Sequence, residues 1–394
     1  MFSKSRTINA AMPHLVVSIS GHGFGHVSQT APILNTLYRM LPELIITIRT
    51  SAAIEYLRSR IQVPFNYLPS EGDIGMLMTS PLDVNVKESR AAYQKFHADW
   101  GSRVNNEVHT LLKLKADFVF SNVGYLPLAG AQRAGIANAA MCSLNWSDIY
   151  RHYCISSAAM ASVPSGVKNP LLWTDESIVE QIRTCYANAD AFLRATPGMA
   201  MTNLPNLISV APIAERATSR RDEINQSLRL LPGDKLVLIS MGGITSRVPI
   251  EKWPRIAGVR WLVQQNWNVS HPDVIIIESL KLPFGDLLAS CDALICKPGY
   301  GSFVEATSCG VPVIYVNRPD WPESPALIEW LQQHNRCCEI SRAELDSGTM
   351  AAALDHLWNS PPLAKIMPEG VTQVAQWLLH KLNHPKPGEP EPKS

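Results

Sequence analysis

Residues 292–306 read DALICKPGYGSFVEA. The apolar run Ala293–Cys296 ends at Lys297, a Pro-Gly-Tyr-Gly-Ser turn follows, and a helix is expected to begin near Ser302. The run is continuously apolar rather than alternating, the pattern of a strand covered by helices on both faces. At the helix start, the backbone amides of Tyr300, Gly301 and Ser302 would cradle a diphosphate, helped by the helix dipole and the Ser302 hydroxyl. Glu305 follows about one turn later, where a carboxylate accepts two hydrogen bonds from a ribose diol. Val311–Arg318 is the next strand, and its outgoing loop, Pro319–Pro325, is expected to face the same side. The plain alternative is a generic strand–turn–helix unit with Glu305 in solvent.

Outward from this unit the same alternation repeats. Strands are expected at His14–Ser20, Leu44–Thr50, Phe65–Leu68, Phe118–Ser121, Ala137–Cys142, Phe192–Ala195 and Leu207–Val210. A second set falls at Leu236–Ser240, Arg260–Val263, Val274–Glu278, Ala293–Cys296 and Val313–Val316. Strands alternating with helix-like stretches imply doubly wound parallel sheets, so the fold class is α/β with two Rossmann-like domains. At 394 residues the chain exceeds the size at which one core stops growing. The pattern restarts near Lys235 after the polar stretch Arg216–Arg229, which places a boundary near residue 215. Residues 1–215 then form the first domain and 216–383 the second, and the Pro-, Lys- and Glu-rich 384–394 is expected to be a disordered tail.

A second glycine-rich loop, Gly21-His22-Gly23-Phe24-Gly25-His26, follows the first strand and leads into the expected helix Val27–Leu41. It is not a dinucleotide fingerprint. That pattern needs glycine at position 26, and an acidic residue at the end of the next strand, which reads Arg49-Thr50-Ser51. Gly21, Gly23 and Gly25 permit close approach of a ligand, and a histidine at the helix start suits acid–base work near neutral pH. His26 is the first candidate for a general base; His22 is the second, or a contact to acceptor or phosphate. The plain reading is a tight turn with exposed histidines. A third loop, Ser240–Thr245, offers Gly242 and Gly243 to a phosphate or sugar across a cleft.

Composition sets the outer limits. The chain is 46% hydrophobic and 18% charged, with a formal net charge of +1. That balance gives no global field for nucleic acid, and peripheral membrane contact has no support in the sequence. No apolar run approaches the roughly 20 residues of a membrane span. The N-terminus reads as a short leader rather than a signal peptide. Eight cysteines without paired zinc spacing point to reduced thiols and a cytoplasmic protein.

The three loops together resemble those of GT-B glycosyltransferases, in which two doubly wound domains face each other across a cleft. The first loop is similar to that of the bacterial N-acetylglucosaminyltransferase of peptidoglycan synthesis. A closer resemblance, through GHGFGH (21–26), NWSDIY (145–150), KPGYGSFVEA (297–306) and VNRPDWPESP (316–325), is to the glycosyltransferase-like N-terminal region of L-arabinokinases and related bacterial proteins. It covers most of residues 13–335; the sugar-kinase domain of those proteins is not part of it, so phosphorylation is not implied. The resemblance assigns Gly299, Tyr300, Gly301, Ser302 and Glu305 to diphosphate and ribose. It places Asp320 and Glu323 near the donor sugar, with Arg318 and Lys297 as further donor contacts. Asn122 stands where an acid is expected, which favours His26 as base; Asp148 is the rival. Lys297 occupies the position of a glutamate common in retaining enzymes, and no DxD sequence is present. The implied activity is an inverting, metal-independent transfer from a nucleotide sugar, uridine being the commonest base, with no cofactor beyond that donor. A sugar-nucleotide 2-epimerase and a non-catalytic sugar-nucleotide-binding protein are the alternatives.

Overall fold

A computed structural model describes residues 12–156, 173–242 and 247–384. Gly243 and the expected tail from residue 385 onward lie outside the described residues. The first sheet is built from β1 (His14–Ile19), β2 (Ile45–Thr50), β3 (Asn66–Pro69), β6 (Phe118–Asn122), β7 (Ala137–Cys142), β8 (Ala191–Ala195) and β9 (Leu207–Val210). Between β3 and β6 the chain makes a small antiparallel hairpin, β4 (Met78–Ser80) and β5 (Asp83–Val84). The second sheet holds β10 (Lys235–Ser240), β11 (Val259–Val263), β12 (Val274–Ile276), β13 (Ala293–Cys296), β14 (Val313–Val316) and β15 (Cys337–Ile340).

Both sheets are parallel throughout, in the orders β3-β2-β1-β6-β7-β8-β9 and β12-β11-β10-β13-β14-β15. Leaving out the hairpin, each is the doubly wound order in which strands are laid to one side of the first and then to the other. The central strands explain why the sequence does this. β1, β6, β13 and β14 are buried at every position, so their apolar runs need helices on both faces and cannot serve a sheet with one wet side. Two features are not legible from period: β15, a half-exposed edge strand, and the hairpin, too short to show alternation.

The helices that matter for the site are α1 (Gly25–Met40), α2 (Ile54–Arg60), α3 (Trp146–Arg151), α4 (Tyr300–Cys309) and α5 (Gly370–Asn383). α1 and α4 each begin two residues before the expected start, which matters because the starts line the cleft. α5 follows the second sheet in the chain but packs against α1 of the first domain. It buries Val374, Ala375 and Leu378, and sets Trp377 edge-on to Phe118 with ring centroids 6.0 Å apart. Gly370 N–H donates to the Pro212 carbonyl at 3.0 Å, and Ala211 N–H to Gln373 Oε1 at 2.8 Å. No described helix is long and apolar enough to cross a membrane, and all eight cysteines are free thiols.

Candidate functional site

Strand order reverses between β1 and β6 in one sheet and between β10 and β13 in the other. Ligands of doubly wound sheets lie beyond the strand carboxyl ends at such points. A cavity of about 500 Å³ opens there, with residues 22–26 on one wall and 297–302 on the other.

Each wall is a helix start with nothing capping it. α4 follows Gly299 and α1 follows Phe24; neither has a side-chain cap, and neither has an acid in its first turn. The first amides of a helix have no partner inside it, and the residues that carry them at both starts, Tyr300, Gly301 and Ser302 in α4 and Gly25 and His26 in α1, line the one cavity. The walls are close: a β-carbon at Gly301 would lie 3.6 Å from Ser28 Cβ. Two positive helix ends turned on one space attract an anion. Lys297 adds a full charge. It lies across Gly242, whose φ of +86° is left-handed and whose missing side chain leaves Lys297 Cε 3.3 Å from the place a β-carbon would take. Burial, then Arg318, lowers the Lys297 ammonium to about 8. The Tyr300 side chain runs away from this centre. Its hydroxyl donates to the Thr196 carbonyl at 3.1 Å and accepts the Ile213 N–H at 2.8 Å.

Glu305 is on the cavity wall, 7% exposed, but it is not alone there. Arg60 of α2 donates through an Nη to Glu305 Oε1 at 2.5 Å, from the opposite domain. Tyr56, Ser59 and Arg60, spaced as one helix face, line the same end of the cavity. Sequence reading found none of the three. No motif marks them, and Arg60 and Glu305 are 245 residues apart.

On the first-domain wall His26 is buried, 5% exposed. Its Nδ1 lies 2.9 Å from Asn122 Oδ1. The orientation of Asn122 is fixed by its amide nitrogen, which donates to the His26 carbonyl, Gln29 Oε1 and Thr30 Oγ1. Oδ1 is therefore the acceptor, Nδ1 carries the proton, and Nε2 holds the free lone pair. Burial lowers the imidazole to about 4, against the opposing pull of the Asn122 bond. His22 is lowered to about 3 by burial, then by His26, Lys297 and Arg318. Its ring stands edge-on to Trp146 at 5.2 Å and parallel to Trp321 of the second domain at 6.1 Å. Gly23 and Gly25 line the cavity and Gly21 does not. Gly21 packs against Ser51 instead, whose Oγ lies 1.9 Å from the place a β-carbon would take.

Other expected residues divide. Arg318 and Glu323 line the cavity. Arg318 lies 4.0 Å over the Trp321 ring, and Glu323 Oε2 accepts from Trp321 Nε1 at 3.2 Å. Arg318 Nε and Glu323 Oε1 are buried without a partner among the described residues. Asp320 is exposed and off the cavity wall. Asp148 is also off the wall. It belongs to the cap of α3, accepting from Asn145 Nδ2 at 2.8 Å and Asn203 Nδ2 at 3.0 Å, so the rival base is not brought to the cleft. Asp73, unmarked by sequence, accepts from Ser20 Oγ and Trp146 Nε1 behind the glycine loop, and burial raises its carboxyl to about 6.

No family model matches the chain. Three solved structures superpose over nearly its whole length. The calicheamicin glycosyltransferase CalG4 does so with TM-score 0.55 and 12% identity, covering 95% of this chain and 94% of that one. Medicago truncatula UGT71G1 complexed with UDP-glucose gives 0.54 and 12%, covering 94% of each. The fold is GT-B. A UDP-N-acetylglucosamine 2-epimerase is also similar, at 0.52 and 11%, covering 97% of this chain and 99% of that one. These identities speak for the GT-B architecture and not for an activity. In sequence the chain is 24% identical over 360 residues to an L-arabinokinase of Arabidopsis thaliana, which covers 90% of this chain. The chain spans 33% of that protein's length.

Proposed function

We propose that this protein transfers a sugar from a nucleoside-diphosphate donor, a UDP-sugar first among them, to an acceptor hydroxyl, with inversion and without a metal. The observation that carries this is the cavity in which His26 Nε2, with a free lone pair, shares a space with two uncapped helix starts and Lys297. The acceptor O–H gives its proton to Nε2 as the acceptor oxygen bonds to the anomeric carbon. The bond from that carbon to the diphosphate breaks on the other side, and the diphosphate leaves with its negative charge. Amide dipoles and Lys297 stabilise that charge without reorganising. Strand order supports one layout for the donor. The nucleoside lies toward β11 and β12, where Gln264, Ile277 and Phe284 form the wall, the diphosphate at β10 and β13, and the sugar toward β14, where Arg318 and Glu323 stand. No part of this requires a membrane, and a cytoplasmic location agrees with eight free thiols.

Lowering the His26 pKa keeps the base form present across the physiological range, at some loss of basicity. The likeness to an epimerase gives the second reading a definite test. Purified protein is incubated with a panel of nucleotide sugars plus chelator, with and without cell extract. Release of nucleoside diphosphate that depends on extract supports transfer. A new sugar nucleotide without release would mean epimerisation, and binding without turnover a non-catalytic protein.

A further inference from the structure

We propose that Arg60 is a positioning residue for the ribose, so that the nucleoside site is completed by the first domain. Resting on the donor reading above, this adds a residue from the opposite side of the cleft. Glu305 stands on α4 and Arg60 at the end of α2, and the two meet at 2.5 Å with both side chains 8% exposed. A buried carboxylate on a rotatable stem has no single direction until something holds one oxygen. Arg60 holds Oε1, leaving Oε2 to accept from a ribose hydroxyl. Arg60 is itself held in place: Asn35 Nδ2 donates to its carbonyl at 3.0 Å. Its charge also sits at a helix C-terminus, where a cation is favoured.

A purely structural ion pair such as Arg49 with Glu107 is off the cavity wall. Glu305 is on that wall, and so is Arg60. Tyr56 and Ser59 face the cavity beside it. One face of α2 thus forms a wall over the nucleoside end, and that wall exists only while the two domains are together.

The test compares UDP with its dideoxyribose analogue, which lacks both ribose hydroxyls, by calorimetric titration of wild type, Arg60→Gln, Arg60→Lys and Glu305→Gln. Wild type is expected to prefer UDP by about 10- to 100-fold, the effect of hydrogen bonds to a charged group. Arg60→Gln and Glu305→Gln should both compress that preference to about threefold or less, and Arg60→Lys should restore part of it. General destabilisation would weaken both nucleotides alike and leave the ratio intact. Arg60→Gln with the wild-type ratio overturns the inference while the donor reading stands. Wild type that binds neither nucleotide overturns both.

Discussion

His26 and Asn122 can be separated experimentally because one moves the proton and the other holds the ring. His26→Ala should lower kcat by about 10²- to 10⁴-fold, the usual contribution of a positioned base, with UDP affinity little changed. Near-normal turnover in this variant would remove His26 from the chemistry. Asn122→Asp tests the tautomer. A carboxylate facing Nδ1 would stabilise the imidazolium and raise the His26 pKa from about 4. The base form would then be lost at a higher pH, so the acid limb of the kcat/KM profile should move upward; an unmoved limb would mean that Asn122 does not face the base. The variant should also be less stable by about 1–3 kcal/mol, because it sets an oxygen against three acceptors. At this scale the sequence is legible where chemistry is local. The loop from Lys297 to Glu305 and the two histidines are consecutive enough for spacing to speak. That Asn122 is not an acid can be read from the chain; which atom it grips cannot. Arg60 has no local signal at all, because its partner is reached only through the fold.

The elements expected from period are present because period reports burial, and here burial is two-sided. What period does not report is which surface an element meets. α5 has the ordinary stripe of an amphipathic helix, and nothing in Gly370–Asn383 says that the stripe lands on α1 rather than on the sheet just completed. Its first residue shows how tight that landing is. A β-carbon on Gly370 would fall 2.0 Å from the Ala211 carbonyl oxygen, a backbone atom that cannot swing away. Gly370→Ala should therefore push the start of α5 off residues 211–213 and cost about 1–3 kcal/mol, as overpacking does. Chemical denaturation measures it. An unchanged or raised stability, as helix propensity alone would give, would show that the contact yields. The uncapped starts of α1 and α4 are the converse case. Each lacks the side-chain cap that stabilises a helix by about 1 kcal/mol where one is present, and each lacks it where an anionic ligand would supply the missing partner.

The whole molecule should be acid-sensitive, and the sign follows from three histidines that the fold holds neutral. Burial lowers His22 to about 3, and His26 and His97 to about 4, all from 6.5. As pH falls below 6.5 the unfolded chain takes up protons that the folded one refuses, so stability is lost between about 6.5 and 4. Asp73, raised to about 6, acts in the opposite sense, since the cost of its buried charge is relieved as pH drops through that value, and Glu215 and Glu323, also raised by burial, act with it. The three histidines, moved to about 3 and 4, outweigh them. Tm should be lower at pH 5 than at pH 7, and a rise would mean that the histidines are wetter than the structure has them. The contacts of α5 carry a consequence of another kind. Because Gly370 bonds to Pro212 and Gln373 to Ala211, the chain leaves the first domain and re-enters it at adjoining points. Residues 214–369 are therefore a cassette spliced into a host that is finished only by the last helix. A chain with a short flexible linker joining Ile213 to Gly370 should fold as a monomer, whereas residues 12–213 alone, with the seat of α5 left open, should aggregate. Other cassettes with neighbouring ends could be grafted at the same seam, exchanging the donor half of the cleft while His26 and its loop stay where they are.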